Sequence, residues 1–198
     1  MHLIFATHNE NKVVELRRII PKSIVLWSLN DINYLNPIEE TGKTLEENAK
    51  IKSDFIRRKF GLDCFADDSG LEIDFLGGEP GVLSARYAGP SKNNDKNIQK
   101  IWKKLENISN PTATFRSIFY LHLNNQTFCF EGKVYGKIIF EKRGNNGFGY
   151  DPIFIPKGYK KTFAELGNGI KDQISHRAKA TLKLINFISR ASKGLNPF

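Results

Sequence analysis

Two acidic doublets, Glu39-Glu40 ahead of Thr41-Gly42 and Asp67-Asp68 ahead of Ser69-Gly70, offer carboxylates at two separate places in the chain. Hard oxygen ligands of this kind suit Mg2+, which takes one or two carboxylates and leaves its other positions to water and phosphate. Taken in isolation, Asp-Asp-Ser-Gly reads first as a plain turn, because Asp and Ser favour turns and Gly supplies positive φ; two acidic doublets beside phosphate binders in a chain of surplus positive charge favour a divalent cation between them. A phosphate binder to accompany the ion is available at Thr7-His8-Asn9-Glu10-Asn11-Lys12, a polar loop between an apolar run and an amphipathic stripe. Such a junction presents backbone N–H groups at the positive end of a helix, with Lys12 as a point charge. An ordinary Asn-capped helix start has the same composition. The segment is neither a Walker A loop nor GxGxxG.

Two further segments carry ligand chemistry. In Gly147-Phe148-Gly149-Tyr150-Asp151 the glycines let backbone approach a flat ligand while Phe148 offers a stacking face, although aromatics covering the core would look alike. Ser175-His176-Arg177, preceded by Lys171, places cations in the first turn of a helix, against its dipole. An acceptor-rich ligand is one reason for that placement, and a plain surface site would cost only about 0.3 to 1 kcal/mol.

The elements that must position these groups follow from hydrophobic spacing. The run 2–6 reads as a strand, followed by a helix with Val13, Leu16 and Ile20 on its stripe. Thr44 and Glu47 form a capping-box pattern opening a second helix, whose inward stripe carries Leu45, Ala49, Ile56 and also Lys52. An ammonium there either meets an anion or snorkels to water, so Lys52 is a candidate site residue. Residues 62–66 read as a buried strand that delivers the Asp doublet at its end, with Leu71, Ile73 and Phe75 alternating beyond. Ile98, Ile101, Trp102 and Leu105 mark a third helix, with the Trp as core. Two long strands follow around 113–123 and 127–140, separated by Asn124-Asn125, with bends expected at Gly132 and Gly136. A last helix starts near Ser175, with Ala178, Leu182, Ile185 and Ile188 inward. Together these predict a mixed α/β sheet with flanking helices.

At 198 residues and 40% apolar content the chain suits one domain spanning 1–198. The opening residues do not read as a secretory signal. No run approaches the roughly 20 apolar residues of a membrane span, and Cys64 and Cys129 lack metal-ligand spacing, so a reducing cytoplasm is expected. The net charge of +9 is spread along the chain without a basic–aromatic track. The acidic doublets argue against a nucleic-acid-binding module, which remains the alternative of a different class.

Taken in order, ATHNENK (6–12), EETGKTLEENAKIK (39–52), FADDSGLEIDFLGGEPGVLSARYAG (65–89), GFGYDPIF (147–154) and SHRAKA (175–180) resemble the inosine/xanthosine triphosphate pyrophosphatase family, the Ham1/RdgB-like enzymes. The resemblance covers nearly the whole chain. It implies a two-lobed α/β fold with the substrate in a cleft between lobes, a homodimer, and Mg2+-dependent hydrolysis of XTP, ITP and dITP to monophosphate and pyrophosphate. By the same resemblance Thr7, His8, Asn9, Glu10, Asn11, Lys12 and Lys52 would bind the triphosphate, Glu39 and Asp68 would hold Mg2+, and Asp68 would accept the proton. Ser69, Phe148, Gly149, Tyr150, Asp151, Lys171, His176 and Arg177 would contact the nucleotide. Donors at His176 and Arg177 would suit the 6-oxygen of hypoxanthine or xanthine and mismatch the amino group of adenine. The nearer alternative is the same chemistry on a pyrimidine or another modified nucleotide. His8 departs from the glycine many members carry, and residues 107–141 depart more freely.

Overall fold

The computed structural model describes residues 1–191. The order is β1 (His2–Phe5), α1 (Glu10–Ile19), β2 (Val25–Ser28), α2 (Leu45–Phe60), β3 (Cys64–Ile73), α3 (Asn94–Lys104), β4 (Thr112–Leu123), β5 (Gln126–Ile138), β6 (Phe154–Pro156), α4 (Phe163–Ile174) and α5 (His176–Ala191). The strands form one mixed sheet in the order β2-β1-β3-β4-β5-β6. β1 pairs in parallel with β2 and β3, and β5 pairs antiparallel with β6. The chain divides into two compact units, residues 1–68, 117–132 and from Arg177 on, and residues 69–116 and 133–176.

In the first unit, β1 is buried on both faces, as a parallel strand covered on both sides must be. Leu3 and Phe5 join Val13, Leu16, Phe65, Phe119 and Leu184 in one core, while Ile4 and Ala6 join Leu29, Ile56 and Cys64 in another. Phe5 and Phe65 stack with centroids 4.6 Å apart. The chain leaves β1 through α1 to β2 on one side and later returns through α2 to β3 on the other. Order therefore reverses at β1, and in open α/β sheets ligands gather beyond the carboxyl ends of the strands at such a point. Thr7 to Lys12 lie there, directly after β1.

The second unit packs Leu71, Ile73, Ile98, Ile101, Phe115, Ile138, Phe154 and Phe163 into its own core. Trp102 is half-buried against that core and its indole N–H donates to the Ile139 carbonyl at 2.8 Å. The capping box Thr162–Glu165 starts α4 reciprocally, with Glu165 N–H donating to Thr162 Oγ1 at 3.1 Å and Thr162 N–H to Glu165 Oε2 at 2.7 Å.

Several expectations from spacing change. Asp67, Asp68, Ser69 and Gly70 lie inside β3 instead of forming a turn at its end, because both Asp side chains meet buried cations. Glu47 takes the N–H of Lys43, not that of the cap Thr44, so α2 has a single-sided cap. Ile20 caps α1 and packs from there, Phe75 sits exposed in a 3₁₀ turn, and Leu182 is exposed while Leu184 and Phe187 take its inward place. Gly136 stays within a regular ladder opposite Pro156. β2, β6 and α4 have no counterpart among the elements expected from spacing. Among the described residues no helix is long and apolar enough to cross a membrane.

Candidate active site

Asn9 caps α1, its Oδ1 accepting from the N–H groups of Asn11 at 3.1 Å and Lys12 at 3.4 Å, and Asn9 N–H donates to Thr7 Oγ1 at 3.1 Å. Locally the 7–12 loop is thus a capped helix start, and the cap aims Lys12 inward. Lys12 Nζ lies 2.8 Å from Asp67 Oδ1. The His8 ring bonds the Tyr34 carbonyl at 2.8 Å, which requires a proton on Nε2 because a carbonyl only accepts. Glu10 accepts from the Asn30 amide.

Around Asp67 and Asp68 the first unit gathers a charged cluster. Arg177 pairs with Glu15 and lies 3.5 Å from Asp67, which explains a cation in the first turn of α5: its partners are acids of α1 and β3. Lys52 reaches Glu40 at 2.5 Å and Asp68 at 3.8 Å. The ammonium on the apolar stripe of α2 therefore meets anions. Burial works against the charge of Asp67, yet Lys12, Arg177 and Lys52 hold its carboxyl well below the usual range. Burial likewise opposes the Lys52 ammonium, but Asp68, Glu40 and Asp67 outweigh it and raise its pKa. Lys12 is lowered, chiefly by burial, with Asp67 opposing and Lys52 and Arg177 adding to the fall. Asp68 goes the other way: burial raises it, only partly offset by Lys52 and Lys12, with Glu40 and Asp67 contributing in the same direction. Two adjacent carboxyls thus meet opposite surroundings, Asp67 held low by its cations and Asp68 raised by burial. Glu39, the other sequence candidate for metal, is exposed, while its neighbour Glu40 turns to Lys52.

The second unit holds the other candidates. Asp151 accepts from the Phe148 N–H at 2.8 Å and pairs with Lys171 at 2.5 Å, so one buried carboxylate ties the 147–151 loop to α4. The loop needs Gly147, whose φ is +78° and where a Cβ would fall 2.2 Å from Asp151 Oδ2. Lys171 Nζ sits 4.9 Å from the Phe148 ring centroid. Tyr150 is buried, its hydroxyl donating to the Ser84 carbonyl at 2.7 Å, and burial pushes its pKa up. His176 stacks on Phe115 at 4.7 Å and 9°. Gly149 and Ser69 are half-buried.

A family model described as the Ham1 family matches residues 3–187. The chain belongs to the Ham1 family. Ham1 relatives named dITP/XTP pyrophosphatase include one from Flavobacterium johnsoniae, 49% identical and covering 96% of this chain and 98% of the relative. Another, from Bacillus subtilis, is 47% identical over 91% of this chain and 93% of its own. Among solved structures, the Staphylococcus aureus Ham1 protein superposes with a TM-score of 0.87 at 38% identity, covering 96% of this chain and all (100%) of that one. A Ham1 protein from Coxiella burnetii gives 0.88 at 36% identity, covering 96% and 99%. The mixed sheet with flanking helices is therefore the Ham1 fold.

Sequence reasoning missed Glu15 and Asn48 and left Glu40 and Asp67 as unranked members of their doublets. Asn48 carried a usable signal, since it falls between Leu45 and Lys52 on the inward stripe of α2 and is fully buried, with 0% exposure. Glu15 carried none, because its partner Arg177 is 162 positions away.

Proposed function

We propose that this Ham1-family chain hydrolyses the non-canonical purine nucleoside triphosphates XTP, ITP and dITP to monophosphate and pyrophosphate. The observation that carries the reading is the first-unit cluster in which Asp68 accepts from the Asn48 amide at 3.1 Å and stands 3.8 Å from Lys52, next to Asp67 with Lys12 and Arg177. Asp68 takes a proton from the attacking water as the oxygen closes on the α-phosphorus. Lys12 and Lys52 offset the charge that builds on the departing pyrophosphate. Phe148 would stack on the base, and Lys171 and His176 would read it, while Arg177 belongs to the charged cluster with Glu15 and Asp67.

Three cations, Lys12, Lys52 and Arg177, stand against four carboxylates, Glu15, Glu40, Asp67 and Asp68, so the cluster carries one excess negative charge. Among the described residues no three His, Cys, Asp or Glu side chains are grouped to hold a metal alone. A donor set of few hard oxygens fits Mg2+ bound jointly by protein and phosphate. Asp68 and Glu39, with Glu40 alongside, would hold it, and the ion would screen the charge of the polyphosphate. Both cysteines are free thiols, which suits the proposed reducing cytoplasm, and the family resemblance implies a homodimer.

The test is pyrophosphate release from ITP, XTP, dITP, GTP, ATP and a pyrimidine triphosphate, with and without Mg2+. Fast, metal-dependent turnover of the first three is expected. Equal turnover of ATP would defeat the base assignment, and no turnover of any would defeat the reaction itself.

A further inference from the structure

We infer that Asn48 is a positioning residue for Asp68: its side-chain amide sets the orientation of that carboxylate and ties it to the loop carrying the other acidic doublet. The inference rests on the reaction proposed above. Asn48 Nδ2 donates to Asp68 Oδ2 at 3.1 Å, and Asn48 Oδ1 accepts from the Gly42 N–H at 2.8 Å. The amide orientation follows from chemistry, because a backbone N–H only donates and an ionised carboxylate only accepts. One helical turn on, Lys52 repeats the arrangement with charge, holding Glu40 at 2.5 Å and standing 3.8 Å from Asp68 Oδ1. Each oxygen of Asp68 thus faces a different residue of α2, and each of those residues also grips the 40–42 loop.

The contact leaves no slack. A Cβ on Gly42 would lie 2.7 Å from Asn48 Oδ1 and 2.9 Å from Asn48 N, so the loop reaches the amide only because residue 42 has no side chain. A neutral amide is the group that can bind a backbone donor with one end and a carboxylate with the other while adding no charge beside Asp68. Aspartate would keep the bond to Gly42 and replace the donor facing Asp68 by a second anion. Because a misplacement of about 1 Å can cost roughly 100-fold in rate, the expected effect is on turnover, with little change in substrate affinity.

The experiment compares wild type, Asn48→Asp and Asn48→Ser on ITP with Mg2+, together with crystal structures of each. Both variants should lose about 100-fold in kcat with KM within threefold, and the Asp68 carboxylate should turn from its wild-type orientation. A purely structural role would instead lower the folded fraction and leave kcat per folded molecule unchanged. That result, or an unmoved Asp68 in the crystals, overturns the inference. Should Asn48→Asp not fold, the smaller Asn48→Ser carries both readouts. Wild type that does not hydrolyse ITP defeats the proposed reaction, whereas the orientation of Asp68 in the variant crystals still decides the positioning role.

Discussion

Asp67 and Asp68 are chemically identical neighbours on one strand, and alternation sends them to different surroundings. Asp67 lies between Lys12 and Arg177, while Asp68 meets Asn48 and Lys52. Asp68→Asn should fold like wild type and lose about 10^2 to 10^4 in kcat, the range for removing a general base, as read from pyrophosphate release at saturating ITP. Asp67→Asn has the opposite signature. It leaves two buried cations without their shared anion, and chemical denaturation should show a loss of about 3 to 5 kcal/mol. The sign of its pH dependence follows from a folded pKa below the ordinary 3.8. Its stabilisation is fully present above that ordinary value and drains away as pH falls through it toward the depressed folded value. Urea melts from pH 7 down to pH 3 should therefore steepen in wild type below about pH 4 and stay flatter in Asp67→Asn. Parallel curves would mean that Asp67 is not the anion holding these cations.

At the scale of elements, the helices act as handles for the site. α1 carries Lys12 and Glu15, α2 carries Asn48 and Lys52 one turn apart, and α4 carries Lys171 beneath the 147–151 loop. α4 contains Gly167, Gly169 and a kink at Gly167, so its own propensity is poor and its start depends on the Thr162–Glu165 box. Thr162→Ala should cost about 1 kcal/mol, measured by equilibrium denaturation. It should also raise KM for ITP, since Lys171 loses a firm base; unchanged KM would separate the cap from the site. The β4–β5 connection shows the same local logic, with Asn124 and Asn125 at φ +49° and +62°, the pattern of a two-residue hairpin turn.

For the molecule as a whole, the two units carry different chemistry. The first holds the Asp67-Asp68 cluster and its cations, and the second holds the buried Asp151–Lys171 pair and the Phe148 loop. A ligand that binds only the folded state stabilises it by mass action, about 2.7 kcal/mol at 100 times Kd. A non-hydrolysable ITP analogue with Mg2+ should raise Tm by several degrees in a thermal melt. A chelator should abolish most of that shift if the ion and the polyphosphate bind jointly, and a shift indifferent to chelation would count against joint binding.

Residue type and spacing by themselves determined the fold class, most elements, and the candidates Lys12, Lys52, the Asp67-Asp68 doublet, Phe148 and Lys171, whereas the choice of Asp68 within the doublet came from the family resemblance. Those signals are local: an apolar stripe with one lysine in it, a polar loop after a strand, glycines flanking an aromatic. Tertiary structure alone decided that Asp-Asp-Ser-Gly is strand and not turn, that Arg177 faces Glu15 and Asp67, and that Asn48 joins Gly42 to Asp68. Each of these depends on a buried charge or amide finding a partner outside its own element, from 6 positions away for Asn48 and Gly42 to 162 for Glu15 and Arg177. Propensity is summed over neighbours in sequence, whereas the cost of an unpartnered buried polar group is settled only by neighbours in space.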